Sequence, residues 1–389
     1  MNVHEYQAKG LLARYGVPVP AGGVAATPEE AERVAEGIGA EFWVVKAQIH
    51  AGDRGESGGV KIARSTTEVG HLARTLLGRS LVTQQTGPAG MFVRRVYVER
   101  GCDVGRELYL SLLVDWETAR LTAVASPRGG AAVEHVAGAA PESIVKVALP
   151  TRGAVSVADA ETLSEALALH GEQAQALHAL LDALHRAYLE LDASLIEINP
   201  LVVTAAGELV ALDAKMSFDD NALFRHSELE AMRDEDEDPD RMERERHGFN
   251  YVRLGGDVGC LVTGAGLALA TMDLLRLHGG EPANFLDLPP VATRLEVAAA
   301  LRRILSQPGV RSVLVNAVGG GLTDCGTVAE GIITAGRESG IRVPLVVRFG
   351  GTSRDHAVVL LKNAGVRFVL ADDMASAARQ AISAAGETG

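Results

Sequence analysis

From Gly256 onward the chain alternates five short apolar runs with five segments of helical periodicity. This pattern restricts the C-terminal part more tightly than any other feature. The runs fall near Val258–Val262, Ala283–Leu286, Ser312–Asn316, Val343–Val347 and Val366–Leu370; the helical segments fall near Leu267–Leu277, Arg294–Leu305, Val328–Glu338, Arg354–Asn363 and Met374–Ala384. A strand that is apolar on both faces must be covered on both, and a helix between consecutive strands is the crossover that parallel pairing needs. The expectation is a doubly wound parallel α/β sheet, with ligands beyond the carboxyl ends of its strands. Those ends carry Thr263-Gly264-Ala265-Gly266, Asp287-Leu288-Pro289-Pro290, Gly319-Gly320-Gly321 and Gly350-Gly351-Thr352. The first of these is an incomplete dinucleotide fingerprint. Leu269 stands where Gly or Ala belongs, although Asp287 follows at about the usual 20-residue spacing. It reads as an anion site at a helix start.

The N-terminal part follows another rule. Asn2 with Glu5 three residues on predicts a first helix capped at Asn2, ending near Gly16 and Pro18. Thr27, Pro28, Glu29 and Glu30 predict a second helix start. Strands are expected at Phe42–Val45, Val60–Ile62, Arg95–Glu99, Glu107–Val114 and Leu121–Ala125. Helix is expected from Glu161 to Leu191 with a break near Gly171, followed by strands at Leu195–Pro200 and Leu209–Lys215 around a turn at Ala205-Ala206-Gly207. This half reads as α+β with antiparallel pairs. Between the halves lies ELEAMRDEDEDPDRMERER, residues 228–246, densely charged and without apolar periodicity. The expected organisation is therefore a domain at 1–235, a charged linker at 236–250 and a domain at 251–389.

Of the 389 residues, 50 are acidic and 37 basic, giving a net charge of −13, which argues against binding a nucleic-acid backbone. Cys102, Cys260 and Cys325 are odd in number and far apart, so no disulfide framework or metal pairing is expected and the compartment reads as reducing. No signal peptide, transit peptide or membrane-spanning run is apparent, so the expected location is cytoplasmic. No internal repeat is found, and the dipeptide Gly-Lys of a Walker loop never occurs.

Two features of the N-terminal half point to a nucleotide. The stretch from His50 to Gly59 is rich in glycine and lies between two strands. Such a hairpin can fold over phosphates and offer backbone N–H groups, with Lys46 as a point charge beside it. The second feature is arithmetic. In an antiparallel hairpin centred on Ala206, Asn199 falls opposite Asp213. Glu197 shares the face of Asn199, while Ile196 and Ile198 occupy the other. An amide oxygen and carboxylates on one face suit Mg²⁺, which completes its shell with water and nucleotide phosphates. Either feature alone fits a mobile turn or a solvated strand face. Together they favour a Mg-nucleotide site. The histidines and cysteines form no nucleophilic set, and Cys102 and Cys325 are expected in loops.

The segments MNVHEYQAKGLLARYGVPVP, FWVVKAQIHAGDRGESGGVK, LVTQQTG, VYVE, RELYLSLLVD, LIEINPLVV, LDAKMSFDDNALFR and GGEPANFLD span the chain in order. The sequence resembles the β subunits of ADP-forming succinate–CoA ligase and their close relatives in malate–CoA ligase; DAKMSFDDNALFR leans toward the latter. The resemblance implies an N-terminal ATP-grasp domain and a C-terminal flavodoxin-like CoA-ligase domain. It implies an α-subunit partner carrying a phosphohistidine, in an αβ or (αβ)₂ assembly. The implied reaction, part of the tricarboxylic acid cycle when the acid is succinate, joins an acid to CoA at the expense of ATP, through an acyl phosphate. By match to the family's motifs, Lys46, Asp53, Arg54, Gly55, Glu99, Cys102 and Glu107 take the nucleotide, and Asn199 and Asp213 take Mg²⁺. Glu197 receives the phosphohistidine, and Thr263, Gly264, Gly320, Gly321 and Leu322 take the acid or phosphoryl group. The departures cluster in the second half. Thr263 replaces an Asn, Leu288-Pro289-Pro290-Val291 replaces a glycine-rich loop, and the segment 319–326 gains a residue. In the first half, Asp53 replaces a Gly and Glu56 a Lys, adding negative charge near the polyphosphate. Succinate is the default acid, with malate or another small carboxylate as the alternative; a non-catalytic nucleotide-binding paralogue is an alternative of another class.

Overall fold

The computed structural model describes residues 1–130, 143–233, 248–320 and 323–386, and the chain divides into two compact units, Met1–Glu237 and Asp238–Gly389. Among the described residues no helix is long and apolar enough to cross a membrane.

The first unit contains two larger antiparallel sheets. One has the strand order Gly22–Ala25, Val96–Arg100, Trp43–Ala47, Val60–Ala63. Helices Pro28–Ile38 and Thr66–Leu76 bury Ala31, Ala35, Val69, Ala73 and Leu76 against Val45, Ala47, Val96 and Val98. Thr27 caps the first of these helices by accepting from Glu30 N, as expected. Thr66–Leu76, capped by Ser65, was not among the expected helices. In the second sheet, Ala193–Thr204 lies between Leu209–Ala211 and Val104–Asp115, followed by Arg120–Ser126 and Val145–Ala148; Ala214–Phe218 also pairs with Ala193–Thr204. Its core is built with helices Glu5–Arg14, Val157–Ala166 and Glu172–Glu190. The last two flank Gly171, where the break was expected.

Two local expectations are corrected. The first helix starts at Glu5 and is capped at His4, whose N–H donates to Gln7 Oε1 at 2.9 Å. Asn2 instead bridges to Ser217, accepting from its hydroxyl at 2.7 Å. The strand expected at Leu209–Lys215 is two strands interrupted at residues 212 and 213. Pro200 lies opposite this break and has no N–H to give to the ladder.

The second unit is a six-stranded sheet in the order Asn250–Arg253, Asn284–Leu288, Val258–Thr263, Ser312–Gly319, Leu345–Gly351, Val369–Leu370. All neighbours are parallel except the first pair. In chain order the five parallel strands run 2-1-3-4-5, the flavodoxin-like arrangement. Helices Arg294–Leu305, Cys325–Ser339 and Arg354–Asn363 cover one face, and Ala265–Leu277 and Met374–Gly386 the other. The edge strand Asn250–Arg253 and the buried Phe249 before it were not read from the sequence as part of this sheet. Cys325, expected in a loop, is fully buried at the first position of its helix.

Candidate functional site

The first unit holds a cavity of about 580 Å³ walled by both larger sheets and by the 50–59 loop. Lys46 and Glu99 reach it from the four-stranded sheet; Glu107, Glu197 and Asn199 reach it from the six-stranded one. Asp53, Arg54 and Gly55 come from the loop, and Cys102 and Asp213 from connections between strands. The structure thus gathers every first-unit residue singled out above around one space. Asp53 sits in the left-handed region at φ 58°, which Asp tolerates better than most residues. Both it and Glu56 line the cavity.

The hairpin register is the expected one. Val202 pairs with Val210 and Ile198 with Ala214, and Asn199 N donates to Asp213 O at 3.2 Å. Ile196 and Ile198 are wholly buried on the opposite face from Glu197 and Asn199. Asn199 Oδ1 accepts from Gly130 N at 2.6 Å, which fixes the amide.

What the sequence did not disclose is a buried charge network behind the cavity, anchored on the first helix. Glu5 Oε1 binds Lys46 Nζ at 2.7 Å and Lys9 Nζ at 3.1 Å, while its Oε2 binds Arg54 Nη2 at 2.8 Å. Glu99 binds Lys46 at 2.7 Å and Lys9 at 2.5 Å. Arg54 Nη2 also binds Asp213 Oδ2 at 2.8 Å, and Nη1 donates to Ala47 O at 2.9 Å. Leu212 O accepts from both lysines. Three cations thus face three carboxylates. Burial alone opposes the charge of Glu5, but Lys46, Lys9 and Arg54 outweigh it and hold the carboxyl well below its ordinary range. Burial likewise opposes the charges of Lys46 and Arg54. Glu5 and Glu99 prevail for Lys46, Asp213 and Glu5 for Arg54, and both stay above their usual values. The i, i+4 spacing of Glu5 and Lys9 was the available signal, and it reads equally well as a surface pair. Burial, with Asp103, Glu99 and Glu208 nearby, raises the Cys102 thiol, so it lines the cavity as a neutral group.

The donor set fits Mg²⁺. Asn199 and Asp213 offer hard oxygens from facing hairpin positions into one cavity. Among the described residues no group of three or more His, Cys, Asp or Glu could hold a metal ion. A cation there would take its remaining ligands from phosphate and water, as Mg²⁺ commonly does.

In the second unit, Thr263, Gly264 and Gly320 lie at the carboxyl ends of adjacent strands. Thr263 Oγ1 accepts from Val318 N at 2.9 Å, and Gly264 N donates to Asp287 Oδ1 at 2.8 Å. Burial raises the Asp287 carboxyl despite that bond. The Thr323 hydroxyl donates to Pro290 O and accepts from Ala292 N, both at 2.8 Å, tying down the proline-bearing loop. Gly321 and Leu322 lie outside the described residues.

A glycine-rich hairpin over a polar cavity between two antiparallel sheets, in a chain that also carries a flavodoxin-like sheet, defines the class of ATP-grasp ligases joined to a CoA-ligase domain. The model of the ATP-grasp domain family matches residues 2–203, and that of the CoA-ligase family matches residues 261–382. More particularly, the chain belongs to the family of β subunits of ADP-forming succinate–CoA ligase. It is 49% identical to the protein of that name from Paramagnetospirillum magneticum, over 100% of both chains. It is 49% identical to that from Acidiphilium cryptum and 48% to that from Rhodospirillum rubrum, again over 100% of each. Among solved structures, ATP citrate lyase from Methanothrix soehngenii, in complex with citrate and coenzyme A, has the same fold. Its TM-score is 0.75 at 18% identity, covering 98% of this chain and 99% of that one.

Proposed function

We propose that this chain, with an α subunit carrying a phosphohistidine in an αβ or (αβ)₂ assembly, joins a small carboxylic acid to CoA with ATP as the phosphoryl donor. An acyl phosphate is the intermediate, ADP and phosphate are released, and succinate is the default acid. The observation that carries this reading is the single cavity lined by Lys46, Arg54, Glu99, Glu197, Asn199 and Asp213.

Lys46 and Arg54 bind the polyphosphate. Because Lys46 is already held by Glu5, Glu99 and Leu212 O, nucleotide entry exchanges carboxylate partners for phosphate oxygens. The cations are thus partnered in both states and never bear an uncompensated buried charge. Asp53, Gly55, Cys102 and Glu107 complete the nucleotide wall. Asn199 and Asp213 hold Mg²⁺, which neutralises phosphate charge when bound. Glu197, on the same strand face, orients the partner's histidine as it takes the phosphoryl group. In the second unit Thr263, Gly264, Gly320, Gly321 and Leu322 receive the acid or phosphoryl group, and the segment 236–250 joins domains 1–235 and 251–389.

The test is phosphate transfer from labelled ATP to the histidine of a co-expressed α subunit, followed by acyl-CoA formation. The isolated chain is expected to form no acyl-CoA, and adding the α subunit to restore it. Full turnover by this chain alone sinks the reading, as does failure of the assembled complex to label the partner.

A further inference from the structure

Arg348 lies on the second unit's sheet beside the proposed acid crevice, and no role above involves it. It is in register with Asn316 on the neighbouring parallel strand. Its hydrogen-bond partner among the described residues is Asn316 Oδ1, at a long 3.4 Å, and its Nε is buried with no partner. Among the described residues this half-buried guanidinium has no anion for the five-donor fork that suits one. A glycine, Gly350, stands next to the guanidinium. A Cβ placed on Gly350 would meet Nη1 at 3.3 Å, Cζ at 3.4 Å and Nη2 at 3.5 Å, so any side chain at 350 would lie against the guanidinium. The path from here to the crevice is short and continuous. Gly350 pairs with Val318, and Val318 N donates to Thr263 Oγ1. Asn316 cannot serve as the missing anion, because it is a neutral amide already donating to Thr271 Oγ1 at 2.8 Å.

We propose that Arg348 is a specificity-determining residue that binds the distal carboxylate of a dicarboxylic acid substrate in a two-pronged ion pair. This rests on the acid–CoA ligase reading above and names the group that distinguishes diacids from monoacids. A planar fork suits a carboxylate, and Thr263, Gly264 and Gly320 leave the reacting end of the acid to the strand tips.

The test uses the α-complemented enzyme with Arg348→Ala and Gly350→Asp, the second placing a carboxylate over an intact Arg348. Both are expected to raise KM for the diacid about tenfold or more while leaving KM for ATP and the rate of phosphohistidine labelling unchanged. Millimolar guanidinium is expected to restore diacid turnover in Arg348→Ala, which a purely structural role would not allow. An unchanged diacid KM in both variants overturns the assignment. So does an equal loss with monocarboxylates and dicarboxylates, which would place the phosphoryl group there instead. Wild-type complex that labels its partner but forms no acyl-CoA with any acid would defeat the ligase reading itself, whereas active wild type with indifferent variants defeats only this inference.

Discussion

The roles proposed for single side chains at the first unit's cavity are separable, and substitution tests them one at a time. In the proposed Mg²⁺ site, Asp213→Ala or Asn199→Ala would remove one of two hard oxygens and leave the ion short in its octahedral shell. Mg-dependent nucleotide turnover is expected to vanish with the fold intact, read by calorimetric titration beside circular dichroism. Arg54 keeps Glu5 as a partner when Asp213 is lost, which is why unfolding is not expected. Glu197→Ala is expected to keep nucleotide affinity but lose phosphorylation of the partner histidine. Equal loss of affinity in all three variants would contradict the division of roles. At the acid end, the Thr263 hydroxyl oxygen is engaged by Val318 N, and an Asn amide there could both accept and donate. Thr263→Asn is expected to shift preference toward succinate by about tenfold, since a hydrogen bond to a charged group is worth about 1.5–3 kcal/mol. Competition between acids in one assay measures this. Thr263 in place of the family's Asn is thus expected to disfavour succinate, and a wild type that already prefers succinate over all other acids would refute this.

At the scale of elements, glycines mark where backbone rather than side chain does the packing. Gly351, at the end of Leu345–Gly351, has φ 75°, and a Cβ there would stand 2.0 Å from the Gly319 carbonyl oxygen. Gly351→Ala is expected to cost about 2 kcal/mol or more, through strain and the clash together. Gly10 is the converse. It lies within helix Glu5–Arg14 with nothing within 4 Å of its would-be Cβ, so Gly10→Ala is expected to stabilise by about 0.5–1 kcal/mol. Chemical denaturation measures both, and a stabilised Gly351→Ala would show that the strand tip relaxes. The elements most legible in the sequence were those with their own start signal or period, such as Pro28–Ile38 and the alternating second half. Asn250–Arg253 was not, because four residues beside a charged tract carry no period, and only pairing with Asn284–Leu288 makes them a strand. Thr66–Leu76 has a Ser65 cap, but a lone cap among strand patterns on both sides does not by itself mark a helix.

For the molecule as a whole, the buried network sets the acid limit of the first unit. Glu5 has a folded-state carboxyl well below its ordinary 4.5, so the unfolded chain takes up the proton first. The stabilisation is fully present above about pH 4.5 and is lost as pH falls through the folded value. Glu5→Gln leaves Lys9, Lys46 and Arg54 short of an anion and is expected to cost about 3–5 kcal/mol at pH 7. The gap to wild type should narrow as pH falls toward 2, seen in calorimetric melting temperatures. A gap that stays constant with pH would show that packing, not charge, is what Glu5 supplies.

The sequence by itself determined the two-part organisation, the parallel sheet and the facing of Asn199 and Asp213. Each of these depends on periodicity or on counting outward from a turn, which are properties of neighbouring residues. Likeness to a known family singled out first-unit residues that the fold gathers around one cavity. Only the tertiary structure decided that Glu5 and Lys9 hold Lys46, Arg54 and Glu99, because those contacts join residues 41 to 90 positions apart. It alone decided that Arg348, one strand removed from Thr263's strand, is left half-buried with no anion among the described residues. Which charges a fold neutralises, and which it leaves waiting, depends on desolvation and on strand order, and neither is written in local pattern.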